Sequence, residues 1–221
     1  LSQDVLPGRT HETMVVYPRD DAVIAVSRAD DLVAWNPQTG ETSVLVTRIP
    51  YPLVVLRANP EGSRILFVAG DRPSEQHFGI VSRNDCSWSA EMLRWDGRPI
   101  RHGCLNPDGT RALLVDSGRG MSIVEVATGM ILASTQYERR SDVMAWGAIT
   151  ACALGNGREN EMAVVTTDKG QVWAWDWKLD CFTACGNYRG PQESGAVRLL
   201  EIVQEGGRSF LSTANRALFF S

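Results

Sequence analysis

Apolar residues in this chain come in short runs, separated by clusters rich in Gly, Pro, Asn and Asp. Short runs bounded by turn residues read as β-strands, and no repeating unit shows the three-to-four-residue period of an amphipathic helix. The first stretch sets the arrangement. Thr13–Tyr17, Ala22–Val26 and Leu32–Trp35 are followed by the turn Asn36-Pro37-Gln38-Thr39-Gly40 and a fourth run, Thr42–Thr47. Four short strands joined by hairpin turns are expected.

This arrangement recurs roughly every 45 residues, the range of repeat architectures. The second unit supplies Leu53–Leu56, Arg64–Val68, Phe78–Val81 and Cys86–Met92, with the turn Asn59-Pro60-Glu61-Gly62 between its first two runs. The third places Asn106-Pro107-Asp108-Gly109 at the same point, 47 residues later, and continues through Arg111–Val115, Met121–Val126 and Met130–Ser134. Pro presets φ in such turns and Gly accepts positive φ. Ala127-Thr128-Gly129 lies 89 residues after Gln38-Thr39-Gly40, two repeats on. A fourth unit runs Ile149–Leu154, Glu161–Thr166, Gln171–Trp177 and Asp180–Ala184, with Asp168-Lys169-Gly170 as its central hairpin. The fifth has Val197–Val203, Ser209–Ala214 and Ala217–Phe220, and no fourth run. Trp35, Val81, Val124, Trp175 and Phe220 fall at one point of the five units, spaced 46, 43, 51 and 45 residues apart.

One twisted four-stranded sheet cannot bury both of its faces, so such units must stack around an axis. The expected fold is all-β: a β-propeller of four-stranded antiparallel blades forming one domain, residues 1-221. The blades fall at 12-49, 52-95, 99-135, 143-186 and 196-221. Residues 1-7 offer a closing strand that would pair with Ala217–Phe220 and remove two open sheet edges. A closed five-bladed ring and a segment of a larger propeller both fit this pattern. A first residue of Leu rather than Met points to a processed chain or a piece of a longer one.

Composition narrows the partners. With 43% hydrophobic and 22% charged residues among 221, disorder and collagen-like structure are excluded. Twenty-two Lys+Arg against 26 Asp+Glu leave a formal charge of −4. That is too little to draw nucleic acid or an anionic membrane by bulk field. Runs such as Leu53–Leu56 and Ile65–Ala69 fall far short of the ~20 residues that span a bilayer. Five cysteines, an odd number, do not make a secreted disulfide framework. An intracellular site, cytoplasmic or nuclear, is expected.

Specific words accompany the rhythm. Ala34-Trp35-Asn36 and Ala174-Trp175-Asp176 end third strands, Asn106-Pro107-Asp108-Gly109 turns between strands, and Asp168-Lys169-Gly170 forms a tight hairpin. In these features the chain resembles WD-repeat propellers, the fourth blade most of all. In that family a Gly-His pair often precedes the first strand, its His bonding to an Asp in the turn before the third. Here only His11 stands comparably, 24 residues ahead of Trp35, with Asp30 or Asp31 as partner. The resemblance implies a rigid scaffold that binds proteins on its faces without catalysis.

Candidate chemistry is sparse. Cys181 and Cys185, or His102 and Cys104, suggest zinc, but positions i and i+4 of a strand lie ~13 Å apart, too far for one ion. Asp20-Asp21 and Asp30-Asp31 sit where hairpin turns favour Asp for capping backbone N–H groups. Gly118-Arg119-Gly120 begins a dinucleotide fingerprint but lies between strands, without the third Gly or the helix. No nucleophile elbow, phosphate loop or His-Glu-x-x-His occurs, and His11, His77 and His102 are scattered over different blades. No catalytic residue, metal site or cofactor is expected. Trp173, Trp175 and Trp177 alternate along one strand and should pack against a neighbouring blade, with Val172 and Ala174 facing the other way. Trp88 and Trp95, nearer unit edges, stay open between packing and exposure.

Three connections exceed the tight turns: Gly70–His77, Gln136–Asp142 and Gly186–Ser194. In a propeller, connections from second to third strand and from fourth strand to the next blade emerge together. These loops carry Arg72, His77, Tyr137, Arg139, Arg140, Tyr188 and Arg189, the Arg/Tyr mixture of protein-binding hot spots. The expected function is a non-catalytic scaffold holding other proteins, as part of a larger protein or a multisubunit complex, with no membrane role. A carbohydrate-active enzyme or lectin is the alternative; it calls for acidic residues at inner first-strand positions, where Arg57, Glu201 and mostly apolar residues stand. An RNA-binding surface built on Arg139, Arg140 and Arg189 is the third reading.

Overall fold

The computed structural model describes residues 14–16, 23–27, 30–50, 53–59, 62–70, 72, 76–84, 87–93, 95, 97–137, 147–155, 162–187, 200–205, 208–213 and 216–219. Among them are nineteen strands and no α-helix. They form five sheets, each a meander of sequence neighbours. The first holds β1 (Met14–Val16), β2 (Val23–Val26), β3 (Leu32–Trp35) and β4 (Thr42–Val46). The second holds β5 (Leu53–Ala58), β6 (Arg64–Ala69), β7 (His77–Asn84) and β8 (Ser87–Leu93). The third holds β9 (Ile100–Leu105), β10 (Arg111–Asp116), β11 (Gly120–Glu125) and β12 (Ile131–Gln136). The fourth holds β13 (Ile149–Leu154), β14 (Met162–Thr167), β15 (Gln171–Asp176) and β16 (Cys181–Asn187). The fifth has three strands, β17 (Leu200–Glu205), β18 (Arg208–Thr213) and β19 (Arg216–Phe219). The closing strand expected at 1-7 lies outside the described residues.

The chain divides into two compact units, Leu1–Arg101 and His102–Ser221. In the first, one cluster joins Ile24, Leu32 and Ala34 of the first sheet to Leu56, Ile65, Phe67 and Val81 of the second, with Trp88 and Ala90 against it. Val23, Ala25, Val33 and Trp35 pack together on the other face of the first sheet. In the second unit, Leu113, Met121 and Ile123 meet Cys152, Val165 and Trp175, with Trp173 and Trp177 packed against them. Val172 and Ala174 join Ala151, Ala153 and Val164 on the opposite face. The alternation expected for the tryptophans is therefore present. Second and third strands are apolar on both faces because both faces are covered, as in β2 and β3, where only Val26 is not buried.

Fourth strands end the sheet order. β4, β12 and β16 carry no charged residue, and each slips in register against its third strand. Such a bulge twists an edge away from unwanted pairing. β8 pairs with β7 without a slip and carries a charge, Glu91.

The turns between first and second strands repeat atom for atom. Asn59 Oδ1 accepts from Arg64 N (2.8 Å) while its Nδ2 donates to Ser63 Oγ (3.1 Å). Asn106 Oδ1 accepts from Arg111 N (2.8 Å) and its Nδ2 donates to Thr110 Oγ1 (3.2 Å). Both Asn side chains are buried, at 2% and 1% exposure. The turns after third strands share a left-handed residue five positions beyond Trp35, Val124 and Trp175: Gly40 (φ 77), Gly129 (φ 69) and Asp180 (φ 48). Asp180 uses its side chain, since Oδ1 accepts from Trp175 Nε1 at 3.1 Å. Trp35 Nε1, facing a turn that has glycine there, is buried without a partner among the described residues.

Asn106→Ala removes a buried side chain, leaves the half-buried Arg111 amide without its acceptor and should cost ~1–3 kcal/mol. Asp108→Ala removes an exposed carboxylate that accepts from Thr110 N (2.9 Å) and Thr110 Oγ1 (2.6 Å) in the same turn, and should cost less, ~0.5–1.5 kcal/mol. Urea denaturation of both variants measures the difference.

Candidate functional site

Hydrogen bonds show which connections lie together. In the turn between β2 and β3, Asp31 Oδ1 accepts from Arg48 N (2.8 Å) and Asp30 O from Ile49 N (2.7 Å), residues that lead from β4 toward β5. Between β6 and β7, Gln76 spends its whole amide on neighbours. Its Nε2 donates to Gly70 O (2.9 Å) and Ile100 O (3.1 Å), and its Oε1 accepts from Ile100 N (2.7 Å). In the second unit, Asp168 follows β14, and its Oδ1 accepts from Ala148 N (3.0 Å) just before β13. The second-to-third and fourth-to-first connections thus share one end of the strands in each unit, here termed the loop end. The Asn turns and the turns after third strands lie at the other, the turn end.

Gly147-Ala148 stands before the first strand of the fourth sheet, facing the turn Asp168-Lys169-Gly170. In the resemblance drawn above, that place belongs to a Gly-His pair and the Asp accepts from the imidazole. Here the backbone amide of Ala148 takes the imidazole's role, which a search for histidine could not find. Gly147 has φ 80, and a Cβ there would collide with the Asp168 carboxylate. His11 and the Asp20-Asp21 pair lie outside the described residues. Asp30 and Asp31 act as turn residues: Asp30 is left-handed (φ 63), and Asp31 N donates to Ser27 Oγ at 3.2 Å.

The expected contact residues separate on inspection. Arg72 is exposed in the connection between β6 and β7. His77 opens β7, opposite Ala69, and is half-buried, its Nδ1 enclosed without a hydrogen-bond partner among the described residues. Tyr137 corrects the loop reading. At 2% exposure it packs with Leu113, Val115, Met121 and Ile149, so its ring anchors the base of the connection after β12 and is not part of the exposed surface. Arg139, Arg140, Tyr188 and Arg189 lie outside the described residues.

Both undecided tryptophans are half-buried. Trp88 packs on the first unit's core beneath Arg83, whose guanidinium sits 5.7 Å from the ring centroid. Trp95 meets Phe78 edge-on (6.5 Å, 73°) and donates from Nε1 to Arg98 O at 2.7 Å. Sequence reasoning missed two exposed arginines at the loop end, Arg48 and Arg119, whose backbones are left-handed at φ 53 and φ 60. The only signal was their position in short connections without glycine at that residue.

Among the described residues, no group of three or more His, Cys, Asp or Glu could hold a metal ion. Cys181 and Cys185 both lie on β16; Cys181 is exposed and Cys185 half-buried. Burial pushes the Cys185 thiol up from its ordinary value, partly offset by a backbone hydrogen bond from Ala174.

Gly147→Ala should destabilise the protein by more than ~1 kcal/mol, since strain at positive φ and the clash with Asp168 add. Thermal unfolding beside Gly129→Ala, where a Cβ meets nothing within 4 Å, separates clash from strain. The raised Cys185 pKa keeps its thiol protonated where an ordinary cysteine begins to ionise. Iodoacetamide at mildly alkaline pH should therefore modify exposed Cys181 ahead of half-buried Cys185, as read by peptide mass spectrometry.

No family model matches the chain and no curated protein matches it. Solved structures do match. The WD40 repeats of RRP9 align with a TM-score of 0.55 at 14% identity, over 83% of this chain and 54% of that one. The U3-55K structure aligns with a TM-score of 0.57 at 15% identity, over 87% and 57%. This chain therefore spans little more than half the length of either structure. At such identity the likeness concerns the path of the backbone. No helix among the described residues is long and apolar enough to cross a membrane. Four consecutive four-stranded antiparallel sheets, a fifth with three strands among the described residues, and these two likenesses agree: the chain is built of β-propeller blades and is similar in fold to WD40-repeat structures.

Proposed function

We infer that this protein is a non-catalytic scaffold that holds other proteins through its loop-end connections, as a subunit or domain of an intracellular complex. The reading takes residues 1-221 as one propeller domain, cytoplasmic or nuclear, working without cofactor or metal. One observation carries it. The longest connection of the first unit is fastened at its base, where Gln76 bonds to Gly70 and Ile100, while Arg72 within it is exposed. A loop fixed at its base loses less ordering entropy on binding than a free one. The WD-repeat fold supports the same reading, as does a loop content of Arg and Tyr rather than converging carboxylates.

Arg72, His77, Arg139, Arg140, Tyr188 and Arg189 are the proposed contact residues, with Tyr137 as a buried support. Partners are first identified by affinity purification and mass spectrometry with the full-length protein as bait. Arg139→Glu combined with Arg140→Glu should then abolish recovery of a partner while leaving Tm nearly unchanged. Undiminished recovery removes those two residues from the contact surface.

A further inference from the structure

The turns after β3, β11 and β15 can be aligned on their left-handed residues, Gly40, Gly129 and Asp180. The position just before holds Thr39 in the first sheet, Thr128 in the third and Leu179 in the fourth. Both threonines close their turns: Thr39 Oγ1 accepts from Glu41 N and Thr128 Oγ1 from Met130 N, each at 3.2 Å. Leucine has no group for that bond. In other respects the fourth turn is closed like the first. Asp176 Oδ1 accepts from Lys178 N and Leu179 N, both at 3.0 Å, as Asn36 Oδ1 does from Gln38 N (2.9 Å) and Thr39 N (3.2 Å). At residue 179 the chain thus departs from its own repeat. The side chain placed there is 75% exposed, the most exposed large hydrophobic among the described residues.

Its surroundings in the second unit are apolar as well. Of the five exposed large hydrophobics among the described residues, three, Met130, Ile131 and Leu179, lie at the turn end of this unit. Arg111 links the two turns that carry them. It pairs across the ladder with Glu125, whose N–H donates to Met130 O at 2.9 Å, and its guanidinium lies 5.6 Å from the centroid of the Trp177 ring, two residues before Leu179. Trp177 is half-buried and also holds the Lys178 ammonium 5.5 Å from its centroid. The tip of the fourth turn therefore stands on a packed base.

We propose that Leu179 is an anchor that enters an apolar pocket on a partner protein, which makes the turn end of the second unit a docking surface in addition to the loop-end contacts. The proposal rests on the scaffold reading and adds a contact of different chemistry to it. An aliphatic side chain gains most when water is removed from all of it, as in a pocket. The closed turn holds Leu179 in place beforehand, so little freedom is lost on binding. The turn has two aspartates, Asp176 and Asp180, against one lysine, Lys178, a poor match for an anionic membrane surface.

The test uses the full-length protein as bait, and each partner identified by mass spectrometry is then purified and titrated against it by calorimetry. Leu179→Thr, which installs the residue of the two sister turns, should weaken binding of one such partner by about tenfold or more. Leu179→Met, which keeps an apolar side chain of similar volume, should weaken it by less than about threefold. Tm of Leu179→Thr should stay level or rise, because the hydroxyl can close the turn as Thr39 and Thr128 do. Binding should change little with salt, and binding that high salt abolishes overturns the proposal. If every purified partner binds the threonine variant as tightly as the wild type, this proposal fails while the scaffold reading stands; if no partner is recovered at all, both fail. Flotation with vesicles of phosphatidylcholine and phosphatidylserine, and light scattering of the protein alone, run in parallel. Vesicle binding lost in Leu179→Thr overturns the proposal in favour of a membrane, and a wild-type dimer that this variant dissociates overturns it in favour of a second copy of the chain.

Discussion

Every level of this structure depends on sheets that are apolar on both faces. In β15, Trp173 and Trp175 face one cluster while Val172 and Ala174 face another. In β2 and β3, Ile24, Leu32 and Ala34 face one cluster while Val23, Ala25, Val33 and Trp35 face a second. A lone sheet of this kind would leave one face in water, at a cost of ~25 cal/mol for each Å² of apolar surface. Stacking against a neighbouring sheet removes it, as the cluster shared by the first and second sheets and the one shared by the third and fourth do. Because strands two and three are held on both faces, their ends are fixed points from which connections leave, and the exposed fourth strands need only avoid pairing elsewhere.

The two ends of the strands have different chemistry. At the turn end, buried Asn59 and Asn106 close their turns with four side-chain hydrogen bonds between them. Replacing either leaves its partners in a half-buried turn short of a hydrogen bond. At the loop end, the ties run between connections rather than within one turn: Asp31 to Arg48, Gln76 to Ile100, Asp168 to Ala148. Ties of this sort fix the base of a connection and leave its length and side chains open to variation. A surface that must vary without loosening the fold is well placed there.

The strand rhythm was legible because period, turn residues and burial agree, from Asn59-Pro60-Glu61-Gly62 through Asp168-Lys169-Gly170. Hairpins are local, and their residues announce them. What the sequence concealed was the use of a backbone group in place of a side chain. Ala148 carries no sign that its amide meets Asp168 across twenty residues. Tyr137 read as a loop residue because aromatic rings suit both interfaces and cores, and only packing against Met121 and Ile149 decides between them. Arg48 and Arg119 were overlooked because φ is not written in residue type: arginine is a poor choice for a left-handed position, so nothing in its name suggests one.

Left-handed turn positions show how a side chain can offset an unfavourable backbone angle. At residue 180 the chain places Asp where the equivalent turns have Gly40 and Gly129, and the return is local, a hydrogen bond from the buried Trp175 indole at 3.1 Å. Trp35, whose turn has glycine, lacks that bond. A side chain on a left-handed residue is therefore maintained where it contributes something glycine cannot. Strain of ~1 kcal/mol, the usual difference for an L-residue in this region, is of the same order as the net contribution of one hydrogen bond, so at Asp180 the bond from the Trp175 indole offsets the unfavourable backbone angle.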